Sequence, residues 1–173
     1  DPSINVQILS DENKIIISDN GIGMSEDEVI ENIGTIARSG TASFLENITG
    51  DEKKDSNLIG QFGVGFYSVF MVADKVQVIS KSALNDKDEG TFWESTGEDK
   101  YKIKSVEKIN NGTEIHIFLN DDNTEFADIG RVRFLLEKYS QYINFPLYIS
   151  DDKETNERVN EAEALWLLSL IHI

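Results

Sequence analysis

Two glycine-bearing loops constrain this chain more than any other feature of its sequence. The first is Asp19-Asn20-Gly21-Ile22-Gly23-Met24, and the second is Gly60-Gln61-Phe62-Gly63-Val64-Gly65-Phe66-Tyr67-Ser68. Glycine has no Cβ and reaches positive φ easily, so such loops allow the backbone to come close to a ligand. A third segment, Gly34-Thr35-Ile36-Ala37-Arg38-Ser39-Gly40, lies between them. Together the three segments indicate a nucleotide site.

Composition limits the classes of function. The 173 residues, 39% of them hydrophobic, suit one domain or slightly more with a real core. The formal net charge of −16 disfavours a nucleic-acid partner and an anionic membrane surface, since both are bound by clustered Lys and Arg. The chain has no cysteine and only two histidines, His116 and His172, so no disulfide or thiolate metal site is possible. We therefore predict no metal site built from the side chains of this sequence.

Hydrophobic periodicity and turn residues predict a mixture of strands and helices. Ser25 and Glu28 have the spacing of a capping box, which begins the first helix. Residues 34–58 are polar and glycine-flanked, and the pattern suits a lid or a solvated surface loop equally. We predict strands at 5–9, 14–18, 75–80, 91–95, 101–106 and 113–119 and around Tyr148, and helices at 26–33, 64–73 and 128–142.

The order of these elements predicts an α/β two-layer sandwich. Residues 5–9 and 14–18 form a hairpin, and the four strands between 75 and 119 form an antiparallel meander, because short turns separate them. The sheet is therefore mixed and mostly antiparallel, with helices on one face. The ligand is expected among the helices, over the sheet.

Asp19 stands at the end of a predicted strand, directly before the first glycines. A buried carboxylate without a hydrogen-bond donor costs about 2–7 kcal/mol, and the exocyclic amine of adenine is a suitable donor. Gly21 and Gly23 would let the base approach the backbone, and Met24 would offer a polarizable apolar wall. Taken alone, Asp19-Asn20-Gly21 favours a simple turn, since Asp-Gly and Asn-Gly sequences are common turn formers.

The second glycine loop has the character of a phosphate-binding loop. Its successive N–H groups precede an apolar helix, whose N-terminus favours anions. No Gly-Lys-Ser/Thr follows, so the loop is not a Walker A motif. The alternative is a helix that packs closely against its neighbour through small residues. Asn32 and Arg38 are candidates for phosphate contacts, or ordinary surface residues.

The three glycine segments, with Gly112-Thr113-Glu114-Ile115 as a fourth, resemble the N-terminal ATPase domain of the ninety-kilodalton heat-shock chaperones. The likeness runs from about Ile4 to Trp166. Looser versions of the first and third motifs occur in gyrase, histidine kinase and MutL-type ATPases. The resemblance implies the Bergerat (GHKL) ATP-binding fold, and the short linker is most similar to the bacterial, HtpG-type branch.

The resemblance also implies a set of site residues for ATP or ADP with Mg²⁺. Asp19 accepts the adenine amine, assisted through water by Thr113 and Gly23, and Met24 packs on the base. The residues implied for ribose, phosphates and lid are Asn32, Arg38, Ser39, Gly40, Gly60, Gln61, Phe62, Gly63, Val64, Gly65 and Phe66.

The same resemblance predicts a chain truncated at both ends. Residues 1–150 are expected to form a nucleotide-binding domain that lacks its first helix, and 151–166 a linker toward an absent middle domain. Residues 167–173 are interpreted as a non-native tail or, alternatively, as a terminal strand. The family's general base and its magnesium-binding asparagine lie before residue 1, so no catalytic residue is assigned and the fragment is expected to be inactive.

The implied parent is a cytoplasmic, ATP-dependent chaperone that dimerises and binds client proteins, of bacterial type or from an organelle. No nucleic acid or membrane partner is expected. Two alternatives stay open at this point. One is a GHKL ATPase of another class, such as a histidine kinase or a MutL- or gyrase-like protein. The other is a binding module without turnover.

Overall fold

The structure is a computed structural model that describes residues 1–34, 64–98, 100–141, 143–153 and 156–160. The side chain of Val64 is not described. Residues 60–63 of the second glycine loop, and the whole Thr35–Gly40 segment, therefore lie outside the described residues. No helix within the described ranges is long and apolar enough to cross a membrane.

An eight-stranded sheet forms the framework of the chain. Its order is β5-β4-β3-β6-β2-β1-β7-β8, and neighbouring strands are antiparallel except for the parallel pair β1 and β7. The predicted mixed, mostly antiparallel sheet is confirmed. The strands are β1 (Ile4–Leu9), β2 (Lys14–Asp19), β3 (Ala73–Lys81), β4 (Glu89–Ser95), β5 (Tyr101–Glu107), β6 (Gly112–Leu119), β7 (Leu147–Asp151) and β8 (Glu157–Arg158).

The predicted meander of four consecutive strands is wrong in its last step. Strands β3, β4 and β5 do follow one another, but β6 pairs with β3 and β2 instead of β5. The physical reason is burial: β6 carries buried Ile117 and Leu119, whereas β5 has no buried residue and carries exposed Lys102 and Lys104. Strand β5 is thus suited to a sheet edge and β6 to the centre.

The helices are shorter and less regular than predicted. Helix α1 begins at the capping box, in which Ser25 Oγ accepts from Glu28 N and the Glu28 carboxylate accepts from Ser25 N. After one α-helical turn the chain widens into a π-helical turn. The helical segments are Ser10–Glu12 (3₁₀), α1 (Glu26–Val29), Ile30–Gly34 (π), Val64–Met71 (3₁₀), Asp121–Ala127 (3₁₀) and α2 (Ile129–Tyr139).

The core lies between one face of the sheet and these helices. Val29 of α1, Ile33 of the π-turn and Val132 of α2 pack with the inward-facing residues of the central strands. Trp93 of β4 is fully buried there. The sheet residues of this cluster include Val6, Ile8, Ile15, Val76, Val78, Trp93, Ile117 and Ile149. The two-layer α/β arrangement predicted from the sequence is confirmed.

The segment predicted as a linker contributes to the sheet. Val159 N donates to Leu147 O at 2.8 Å, and the buried Asn160 side chain accepts from Leu147 N at 2.8 Å. Asn160 Nδ2 also donates to the carbonyls of Ile143 and Phe145. Residues 156–160 are therefore tied to β7, and the division of the chain into domains stays a prediction.

The opposite face of the sheet carries a hydrogen-bonded pair, Glu114 and His116 of β6. His116 Nε2 and Glu114 Oε1 are in direct contact. This hydrogen bond is the main reason that the pKa of Glu114 lies below its ordinary value of 4.5, and burial opposes it. A carboxylate with a lowered pKa stabilises the fold above its unfolded pKa, and this contribution is lost as pH falls through the folded value.

We expect Glu114→Gln to reduce stability most near neutral pH and progressively less below pH 4.5, where the unfolded carboxylate begins to bind a proton, until the folded carboxylate is protonated as well. The measurement is thermal unfolding of both proteins from pH 7 to pH 3. Glu137→Gln, at an exposed position on α2, is the control. A pH-independent difference between Glu114→Gln and wild type would contradict the electrostatic role of the pair.

Candidate functional site

Asp19 ends β2 on the helix-covered side of the sheet and has one carboxylate oxygen free. Its Oδ1 accepts from Gly21 N at 2.9 Å and from Thr113 N at 3.3 Å. Within the described part of the chain, no partner binds Oδ2. Two backbone donors thus fix the orientation of the carboxylate, while the exposed side chain keeps an acceptor for a ligand donor.

Gly23 lies where two backbone segments almost touch. Its φ is +59°, and a Cβ at this position would lie 1.9 Å from Lys81 O and 3.1 Å from Gly112 N. Next to it, Ile22 O accepts from Ala83 N at 2.7 Å. The glycine therefore permits the first loop to pack against the end of β3, and its predicted role in the approach of a ligand stays a prediction.

Gly112 makes a second close approach at the same site, which the sequence reasoning missed. Its φ is +114°, and a Cβ would lie 2.2 Å from Asp19 O. The neighbouring Asn111 Nδ2 donates to Gly21 O at 2.5 Å. The contact of Gly112 with the Asp19 loop was not predicted, because it depends on the pairing of β6 with β2.

Ser80 connects the site residues and was also missed. Its Oγ accepts from Met24 N at 2.9 Å, and its hydroxyl and that of Thr113 share a hydrogen bond of 2.8 Å. Ser80 is fully buried on the face that also carries Val76 and Val78. A polar residue on the apolar face of a strand was the available signal, because a buried hydroxyl needs a partner.

The structure brings Asp19, Gly23, Met24 and Thr113 together, and the roles of the other candidates stay predictions. Asn32 is exposed on the π-turn, and Gly65 is exposed in the 3₁₀ helix that begins at Val64. Phe66 packs edge-on against Trp93, with ring centroids 5.7 Å apart. The candidates outside the described residues are Arg38, Ser39, Gly40, Gly60, Gln61, Phe62 and Gly63.

The described residues do not fit a protein-held magnesium ion. Across the described ranges, no three or more His, Asp or Glu side chains are grouped so as to hold a metal. Asp19 is the carboxylate of the site, and Oδ1 is already engaged by two N–H donors. No step of the function is therefore assigned to a metal bound by these side chains.

The described residues of the site offer Oδ2 of Asp19 as an acceptor, the closely packed Gly23 and Gly112, and Met24. These features suit a planar ligand that carries an N–H donor. The sequence family described as "Histidine kinase-, DNA gyrase B-, and HSP90-like ATPase" matches residues 2–123. The chain belongs to this ATPase family. The match covers most of the sheet and the loops that form the Asp19 site.

Curated relatives of this HSP90-like ATPase chain are named "Chaperone protein HtpG". The protein of that name from Hydrogenovibrio crunogenus is 53% identical over 162 residues, which cover 88% of this chain and 26% of the relative. That from a Sulfurovum species is 48% identical, covering 95% and 29%, and that from Escherichia coli K12 is 47% identical, covering 96% and 28%. The chain thus spans between a quarter and a third of these relatives.

Proposed function

We propose that this chain is the nucleotide-binding domain of an ATP-dependent chaperone and binds ATP or ADP through Asp19. The observation that carries the proposal is the geometry of that carboxylate. Two backbone N–H groups hold Oδ1, and Oδ2 is left as an acceptor. The 6-amino group of adenine is a donor that matches this acceptor, and a hydrogen bond to a charged group contributes about 1.5–3 kcal/mol.

The residues around Asp19 support adenine recognition in distinct ways. Gly23 lets the first loop pack against the end of β3, and Met24 contributes an apolar contact. The Ser80–Thr113 hydroxyl pair lies beside the carboxylate, since Thr113 N donates to Asp19 as well. This arrangement favours a base whose N–H donor faces the Asp19 carboxylate. Either a ring nitrogen of that base or a water molecule would then face the two hydroxyls.

The phosphates of the nucleotide require N–H donors or cations, because the chain as a whole carries a charge of −16. Backbone N–H groups at residues 60–66 are the proposed source, together with Asn32 and with Arg38, Ser39 and Gly40 at the lid. ATP hydrolysis is proposed for the intact protein, with Mg²⁺ bound mainly by the phosphates. No described side chain is assigned as the general base.

Chaperone function, with client proteins, dimerisation and a bacterial cytoplasmic setting, is proposed from the names of the HtpG relatives. The other classes in the family's description include histidine kinases and gyrase B. A DNA-handling role is disfavoured by the acidic composition, since phosphate contacts with DNA need clustered basic residues.

The test of the nucleotide site is calorimetric titration with ADP and with inosine diphosphate, in which an oxygen replaces the 6-amino group. We expect ADP to bind about 10- to 100-fold more tightly, because inosine diphosphate has no donor for Asp19. Equal affinities would contradict adenine recognition by this carboxylate. Failure of both ligands to bind would contradict the nucleotide site itself.

A further inference from the structure

A second cavity, of about 510 Å³, lies behind the first glycine loop. It is bounded by Met24 and the start of α1 on one side and by β3, β4 and β5 on the other. Met24 and Ser80 line it whereas Asp19 and Thr113 do not, so it adjoins the carboxylate site without including the carboxylate. Its size lies in the range typical of small-molecule pockets, about 300–1,000 Å³.

Hydroxyl groups from three neighbouring strands line one side of this cavity. Thr91 pairs with Ser80 on β3 and with Ser105 on β5, so the three residues form a row across the inner face of the sheet. Thr91 is only 5% exposed. Its side chain makes no hydrogen bond to any residue that the structure describes, whereas that of Ser80 makes several. The Thr91 hydroxyl lines the cavity and is therefore available to a ligand there.

Carboxylates surround the cavity. Glu26, Glu28 and Glu89 all line it. Hydrogen bonds from the Ser25 N–H and hydroxyl hold the pKa of Glu28 below its ordinary value, so this group is ionised at neutral pH. The one lining lysine, Lys81, already donates to Ile109 O at 2.7 Å and lies 3.4 Å from Asp88 Oδ1. The cavity is therefore electronegative, and it disfavours anions such as phosphates.

We propose that this cavity is a second binding site, for a small organic cation with amine donors, such as an aliphatic diamine. Ammonium groups are charged donors: they complement the carboxylates of Glu26, Glu28 and Glu89, and they can donate to the unpartnered Thr91 hydroxyl. A bare metal ion is disfavoured, because the described residues contain no cluster of three metal-ligating side chains. The cavity adjoins the nucleotide site through Met24 and Ser80 but includes neither Asp19 nor Thr113, so variants at Thr91 and Glu89 test it without changing a residue of the nucleotide site.

The test is titration of the full chain with 1,4-diaminobutane, at fixed ionic strength, with 1,4-butanediol as the neutral probe of the same length. We expect saturable binding of the diamine and none of the diol. Thr91→Val keeps the shape but removes the hydroxyl, and it should weaken diamine binding about 2- to 10-fold. Glu89→Gln should also weaken diamine binding. When the titration is repeated at a second ionic strength, the diamine affinity of this variant should change less with salt than that of the wild type.

Thr96→Val, an exposed substitution just after β4, is the matched control and should leave diamine affinity unchanged. Thermal unfolding of each variant establishes that it is folded, and ADP titration should give the wild-type affinity. Undetectable diamine binding, equal binding of diamine and diol, or unchanged affinity in both Thr91→Val and Glu89→Gln would each overturn the proposal. If the wild-type chain binds the diamine but not ADP, the nucleotide proposal fails and the proposal for this cavity stands.

Discussion

Asp19→Asn is expected to weaken ADP binding by about 10- to 100-fold, the value of a hydrogen bond to a charged group. Asparagine retains an oxygen that can accept from Gly21 N and Thr113 N, the two bonds that orient Asp19. The asparagine NH₂ group then takes the place of Asp19 Oδ2. Because this group and the adenine amine are both hydrogen-bond donors, no hydrogen bond forms between them. The loop should therefore keep its conformation while adenine recognition is lost.

The same substitution should change base preference, which separates recognition from general damage. Inosine diphosphate presents an acceptor oxygen where ADP presents an amine, so Asp19→Asn should lose little or no affinity for it. Calorimetry with both nucleotides measures this change. Asp74→Asn, an exposed carboxylate at the start of β3, is the control and should bind as wild type. A parallel fall in affinity for both nucleotides would indicate that Asp19 acts only on the structure of the loop.

Local signals in the sequence predicted the parts of this site that depend on nearby residues. The β1–β2 hairpin, the position of Asp19 at a strand end and the Ser25–Glu28 capping box are all confirmed. Each depends on residues within a few positions of one another, where turn and capping preferences act directly. For the same reason, the helix start after the first loop was predicted at the correct residue.

The contacts that complete the site were not predictable in this way, because they depend on long-range pairing. β6 lies between β2 and β3, and only this order brings Thr113 and Gly112 beside Asp19. Ser80 joins Met24 to Thr113 across 56 and 33 residues of sequence. A meander with β6 at the outer edge, as the short turns suggested, would separate these residues. The position of β6 is decided by burial of its apolar side chains instead of by turn length.

Gly23→Ala is expected to lower the free energy of unfolding by about 2–5 kcal/mol, from two separate effects. A left-handed conformation costs a non-glycine residue about 1–2 kcal/mol, and the φ of Gly23 is +59°. The new Cβ would also lie 1.9 Å from Lys81 O, a backbone atom that cannot rotate away. Relief of such overpacking by backbone shifts costs about 1–3 kcal/mol. Urea unfolding followed by tryptophan fluorescence measures the change.

Two other glycines separate these effects. Gly97 also has positive φ, +85°, but its added Cβ would meet only the Phe70 side chain, at 3.0 Å and beyond. Gly97→Ala should therefore cost mainly the conformational strain. Gly130 lies exposed in the first turn of α2, and an added Cβ would lie 3.2 Å from Asp128 Oδ1, the end of a side chain that can move, so Gly130→Ala should change stability by no more than about 1 kcal/mol.

The difference between Gly23→Ala and Gly97→Ala then measures the cost of the contact with Lys81 O. Since Met24 follows directly and binds Ser80, a shift of this loop should also lower ADP affinity, whereas Gly97→Ala should leave it unchanged. The contrary result is equal destabilisation of Gly23→Ala and Gly97→Ala, with wild-type ADP affinity in both. It would show that close packing of the first loop on β3 does not hold the base-binding residues in place.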